Sequence, residues 1–150
     1  MVKFVIENKY STTMARDIIH NIVKNALIND GWNITHDPYP VKVGGFEMEI
    51  DLGAENLVAA EREGEKIAIE VKTFAGLSKV YDFHLAVGQF TDYRIALRTK
   101  EPERILYVGV TDNVYNEILE LPFPQMVIKE INMKIIVVNP DLNTVIKWIN

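Results

Sequence analysis

A chain of 150 residues, 48% hydrophobic and 25% charged, suits one soluble globular domain whose core needs no covalent staples. It has no cysteine, which excludes disulfides and thiolate metal sites and leaves oxygen and imidazole as metal ligands. The net charge of −5 argues against a protein that coats nucleic acid through bulk positive charge, although a carboxylate site holding a divalent cation is compatible with it. Apolar runs such as Ile135-Ile136-Val137-Val138 are far below bilayer length, and residues 1–10 carry Lys3, Glu7 and Lys9 where a signal peptide needs an apolar core. A cytoplasmic location, with no membrane contact, is the expectation.

In chain order, residues 12–30 read as a long helix. Ser11 or Thr12 can cap its start and Gly31 follows its end. Ile18, Ile22 and Ala26 beside Ile19, Val23 and Leu27 make two adjacent apolar rows, and Arg16, His20 and Lys24 run along their polar border. Asp37-Pro38-Tyr39-Pro40 then forbids helix. Three extended segments follow, at residues 46–52, 57–63 and 66–74, with Glu63-Gly64-Glu65 as a hairpin turn between the last two. Ser78 can cap a second helix reaching to about residue 98, whose stripe of Phe83, Ala86, Phe90, Tyr93 and Leu97 has the spacing of a core face. Residues 105–110 suit a buried strand, and Asp112 or Asn113 can cap a short helix to residue 119. Residues 134–138 and 144–149 read as two late strands joined by Asn139-Pro140-Asp141. The order is α-β-β-β-α-β with a smaller α-β-β extension: an α/β fold, one unit over residues 1–150.

The third extended segment carries the chemistry. Side chains alternate along a strand, so Ile67, Ile69 and Val71 share one face while Ala68, Glu70 and Lys72 share the other. Asp51 ends the first segment, and adjacent strands lie roughly 5 Å apart, so a meander brings Asp51 within reach of Glu70. Hard cations such as Mg²⁺ need only one or two carboxylates plus substrate phosphate. A metal so held can ionise a water and offset charge on a scissile phosphate, which Lys72 can also polarise. The bland alternative is a Glu and a Lys on the wet face of a half-exposed strand. The triplet is unspecific by itself, since Glu7-Asn8-Lys9 repeats it.

Other polar residues invite two readings each. Gln89 flanks the core stripe, where its amide serves either the site or the sheet edge. Tyr93 sits in the stripe and suits packing. Asp17 and His20, at the border of the first helix, are candidates for a further acidic or titrating group. His36, beside Asp37 and Pro38, suits loop organisation, and His84 suits an exposed helix face. Glu47 and Glu49 share the face of Asp51 and either deepen a negative site or are simply wet. Arg94, Arg98, Lys100 and Arg104 form a candidate basic rim for phosphate, diluted by Glu101 and Glu103.

Asp51, then Glu70-Val71-Lys72, then Gln89 and Tyr93 resemble the PD-(D/E)xK nuclease superfamily in its Gln-x-x-x-Tyr variant, with Ile50 in place of the proline. More narrowly, the chain resembles the XisH family, accessory factors for programmed excision of a DNA element. The likeness runs from about Ala15 to Trp148. It rests on Ala15-Arg16-Asp17 with His20, Gly31-Trp32, Thr35-His36-Asp37-Pro38, Asp51-Leu52-Gly53-Ala54-Glu55, Ile69-Glu70-Val71-Lys72-Thr73-Phe74 and Gly88-Gln89 with Tyr93-Arg94. The resemblance implies a restriction-endonuclease-like core with a mixed sheet flanked by helices. It implies Asp51 and Glu70 as ligands of Mg²⁺ or Mn²⁺, Lys72 as the catalytic lysine, and Gln89 turned toward the site. The partners it implies are DNA, a XisI-type protein and a site-specific recombinase system, with a homodimer as one candidate assembly. Two functions follow: a metal-dependent endonuclease-type factor in DNA excision, or a non-catalytic interaction protein that keeps the fold. In the second, residues 144–150 with Trp148 offer the partner an aromatic anchor.

Overall fold

A computed structural model of the chain describes residues 2–47 and 57–150, with side chains from Met14 onward. The first helix, α1 (Val2–Asn29), begins well before the predicted start and runs through Ser11 and Thr12. Serine and threonine favour caps but cost only up to about 0.7 kcal/mol in a helix interior, so they mark a permitted start and not an obligatory one. The other end is as the sequence suggests. Gly31, at φ 90°, donates its N–H to Ile28, and the Trp32 N–H reaches back to the Leu27 carbonyl, each at 3.0 Å. This double closure uses the left-handed conformation that glycine adopts without penalty.

Strands β1 (Asn33–His36), β4 (Leu57–Arg62), β5 (Glu65–Val71), β6 (Arg104–Thr111), β7 (Ile135–Asn139) and β8 (Thr144–Ile149) form one sheet in the order β1-β4-β5-β6-β7-β8. Strands β5, β6 and β7 are parallel, and the outer pairings are antiparallel. The β4–β5 hairpin turns through Glu63 and Gly64, both at positive φ, the geometry that suits sheet twist in a two-residue loop. Helix α1 covers one face of the sheet, packing Val23, Ala26 and Leu27 against Ile67, Ile69, Val71 and Ile136. Helix α2 (Lys79–Lys100), capped by Ser78, covers the other with the predicted stripe of Phe83, Ala86, Phe90, Tyr93 and Leu97. The fold is thus the expected α/β class, a mixed sheet flanked by helices. No helix among the described residues is long and apolar enough to cross a membrane.

Several elements depart from the sequence reading. The strand that pairs with β4 on the side away from β5 is β1, and no predicted strand covers its residues. The described part of the first predicted segment, β3 (Phe46–Glu47), pairs instead with β2 (Lys42–Val43) in a separate two-stranded ribbon turning at Gly44 and Gly45. Four residues with an exposed end at Asn33 and His36 give too short a pattern to read as a strand. The short helix α3 (Asp112–Val114), continued as a π-helical turn to Leu119, is capped by Thr111, one residue before the predicted caps. Helix α4 (Pro122–Glu130) had no predicted counterpart, because Pro122 and Pro124 look like breakers. In the first turn, however, their missing N–H groups have no helical partner to lose. Of the two apolar rows on α1, Ile18 is 55% exposed, and the buried face is completed by Ile19 and Ile22.

Candidate functional site

Strand β5 lies inside the sheet, with Glu70 opposite Leu57 of β4 and Val108 of β6. The predicted alternation holds: Ile67, Ile69 and Val71 meet α1, and Ala68 packs in the core beneath α2. The wet-face alternative does not hold. Glu70 is 0% exposed and Lys72 is 7% exposed, so both charges stand in the core layer between sheet and helix. Lys72 Nζ lies 3.2 Å from Glu70 Oε1 and donates to Gln89 Oε1 of α2. The strand therefore supplies two charges by its period of two, and α2 supplies an amide from the flank of its core stripe. Burying charges this way is costly unless they are paired and hydrogen-bonded.

The chain leaves β5 through a constrained turn. The Lys72 N–H extends the parallel ladder by donating to the Gly109 carbonyl at 2.9 Å. Two residues on, Phe74 has φ 53°, a conformation rare for a bulky side chain, and is buried in the α2-side core while Lys79 donates to its carbonyl. Backbone strain of this kind persists where the surroundings over-determine it, often beside functional groups.

Asp51 and Glu49 lie outside the described residues. Glu47 is exposed and pairs with Lys42 at 3.3 Å, away from Glu70's sheet. Among the described residues no three His, Asp or Glu side chains gather as a metal cage. Glu70 supplies one buried carboxylate here, and a hard cation needs few protein ligands when substrate phosphate and water complete its shell. Tyr93 is buried in the core as a stripe residue, and Asp17 and His84 are exposed.

His20 has a structural task. Its Nε2 lies 2.8 Å from Asp37 Oδ1 and Lys24 Nζ lies 2.6 Å from Asp37 Oδ2, so one turn of α1 clamps the proline loop. Burial alone raises the Asp37 carboxyl, but the Lys24 hydrogen bond and the His20 charge outweigh it and hold it below its ordinary value. His36, within the same region, contacts Thr35 Oγ1 at 3.1 Å and stacks edge-on against Tyr39, which is the loop role expected of it.

The basic rim divides. Arg104 is 5% exposed and donates to the Ile67 carbonyl at 2.9 Å and to Glu101 at 2.7 Å, so it ties α2 to the sheet and is not available to phosphate. Lys100 donates to the Pro40 carbonyl at 2.5 Å and lies over the Tyr39 ring. Sequence spacing could not reveal this, because Arg104's partners Glu61 and Ile67 lie some forty residues away along the chain. The Arg104 hydrogen bond to Glu101, helped by Tyr39, pulls the Glu101 carboxyl from 4.5 to about 2. A depressed carboxyl contributes stability that is fully present above pH 4.5 and lost as pH falls toward 2. Urea titrations across that window should therefore show falling stability in the native protein, on the order of 3 kcal/mol from this group, and a flatter profile in Glu101→Gln. An identical profile for the variant would remove Glu101 as the cause.

The family described as XisH protein matches residues 13–146 of the chain. Two solved structures share its fold over nearly their whole length. One is the crystal structure of an XisH family protein from Nostoc punctiforme PCC 73102. The other is that of a fdxN element excision controlling factor protein from Anabaena variabilis. Each is 43% identical, with 89% of this chain and 99% of the other covered at a TM-score of 0.82. No protein of curated function matches the chain.

Proposed function

The chain belongs to the XisH family, and from that premise we propose that it is a factor controlling excision of a DNA element, with a phosphodiester-directed, metal-dependent site at Glu70, Lys72, Gln89 and Asp51. The observation that carries this is a glutamate and a lysine buried side by side in the core layer, with the lysine held by an amide from the facing helix. A fold rarely keeps such a pair for stability alone, since a well-packed apolar pair of similar volume is often as stable or more so. Glu70, with Asp51 as its partner carboxylate, would hold Mg²⁺ or Mn²⁺. Bound there, the ion supplies Lewis-acid activation of a water and charge neutralisation at phosphate. Lys72 has a complementary task. Its ammonium, positioned by Gln89, stabilises negative charge as it builds on the phosphate oxygens.

Calorimetric titration with Mg²⁺ and Mn²⁺ tests the reading. Saturable binding in the native protein, absent in Glu70→Gln and weakened in Asp51→Asn, is the expected result. Equal binding by native protein and Glu70→Gln sinks the metal assignment.

A second reading, a non-catalytic adaptor working through a XisI-type protein, draws support from the edge position of β8, whose outer backbone groups have no neighbouring strand among the described residues. Trp148, the anchor expected from the sequence, is part-buried on β8. It packs 5.8 Å from Trp32 and 5.0 Å from Tyr107, within the chain's own aromatic cluster. The large apolar side chain exposed on that strand is Ile146, at 48%. Co-purification with the XisI-type protein should therefore fail in Ile146→Glu, while a yield equal to the native protein's would remove β8 from the interface.

A further inference from the structure

The remainder of the basic rim is not absorbed by the Glu70 site. A cleft of about 170 Å³ opens between the C-terminal half of α2 and the start of β7, lined by Arg94, Arg98, Asn132 and Lys134 with apolar walls from Phe90 and Leu97. That is several times the ~30 Å³ a water occupies in the liquid. Among the described residues no carboxylate lines it. Arg104, at its edge, is neutralised by Glu101 and Glu61, whereas Arg94, Arg98 and Lys134 have no carboxylate within ion-pair distance among the described residues. Three uncompensated cations thus converge in a protein whose net charge is −5.

Arg94 adds a second observation. Its guanidinium donates to the Ile131 carbonyl at 2.5 Å and lies over the Phe90 ring, yet its Nε is buried without a hydrogen-bond partner among the described residues. Burial, and then the like charge of Arg98, lower its proton affinity. Complementing the partial negative charge at a helix C-terminus explains Arg98, which sits in the last turn of α2. It does not explain Arg94, a full turn earlier, or Lys134, which lies in the loop just before β7.

We propose that this cleft is an oxyanion site that takes a phosphate group between Arg94, Arg98 and Lys134. Arginine's planar fork matches phosphate oxygens, and a lysine point charge beside it offsets the remaining charge. Arg94 and Arg98 lie five and nine residues beyond Gln89, roughly 7 and 13 Å along the helix axis, and the variants at Arg98 and Lys134 leave the Glu70 site's own residues untouched. The phosphate has two candidate sources, a free phosphate-bearing small molecule or the phosphodiester backbone of DNA, which would then be gripped at a second point away from the Glu70 site.

The test compares the native protein with Arg98→Ala/Lys134→Ala, leaving Arg94 in place because it holds the Ile131 loop. Lys42→Ala, which removes an exposed cation already paired with Glu47, is the control. Calorimetric binding of inorganic phosphate should weaken by about tenfold or more in the double variant and not in the control. Duplex DNA binding is followed over a range of salt. If the source is DNA, the slope of log K against log salt falls by about 1.8 in the double variant, two contacts at about 0.9 each. Loss of phosphate binding with an unchanged slope assigns the site to a small molecule. A changed slope without phosphate binding assigns it to DNA. The proposal is overturned if neither readout distinguishes the double variant from the native protein, or if Lys42→Ala produces the same losses.

Discussion

Lys72→Met should lose about 3–5 kcal/mol of folding stability, and adding Glu70→Gln to it should restore most of that loss. The reason lies in burial. With Glu70 at 0% exposure and the ammonium 3.2 Å away, deleting the cation leaves a carboxylate in the core layer without that counter-charge. Methionine keeps the stem of the lysine, so packing changes little and the electrostatic cost dominates. Neutralising both groups leaves neither member of the pair charged in the core layer, so the loss of the counter-charge no longer costs stability. Urea unfolding of the native protein, the single variant and the pair measures all three. A loss of about 1 kcal/mol or less in Lys72→Met, the size of an exposed pair, would mean that the two charges are solvated after all.

The pair variant then decides what the site is for. Tested alone, Lys72→Met confounds a lost function with a destabilised protein. Glu70→Gln/Lys72→Met, at native abundance, separates them. If the site acts on phosphodiesters, excision in cells carrying the pair variant should fall about 10²–10³-fold, since one preorganised electrostatic contact alone is worth about 3–4 kcal/mol in catalysis. If the pair serves the fold alone and the protein works as an adaptor, a stable neutral core supports excision at the native rate. Normal excision with the pair variant therefore ends the catalytic reading, whatever metal binding shows. Purified protein with Mg²⁺ and duplex DNA gives the complementary measurement, where loss of cleavage in the variant is meaningful only if the native protein cleaves.

What the sequence determined by itself was the part of the fold written in a long periodic pattern or a recognisable turn, which left out the short β1 and the proline-bearing α4. The spacing of Phe83, Ala86, Phe90, Tyr93 and Leu97 fixed the buried face of α2, because residues three and four apart share a helix face whatever packs there. Alternation placed Glu70 with Lys72 and opposite Ile69, Gly31 closed α1, and Glu63-Gly64 turned the hairpin, each through contacts within about six residues. The resemblance singled out Gln89, and the structure sets it against Lys72. Tertiary structure alone decided which shared faces are covered. Whether Glu70 and Lys72 are wet or buried depends on what packs over the end of β5, Gln89 of α2 included, and the strand's own residues carry no record of that. The same holds for the cations. Arg104 and Arg98 look alike as sequence neighbours of one helix end, yet Arg104 meets Glu61 and Ile67 from strands far earlier in the chain and becomes part of the core, while Arg98 stays at an open cleft. Charge in a sequence is local, but the desolvation and pairing that give it a role come from residues that only folding brings together.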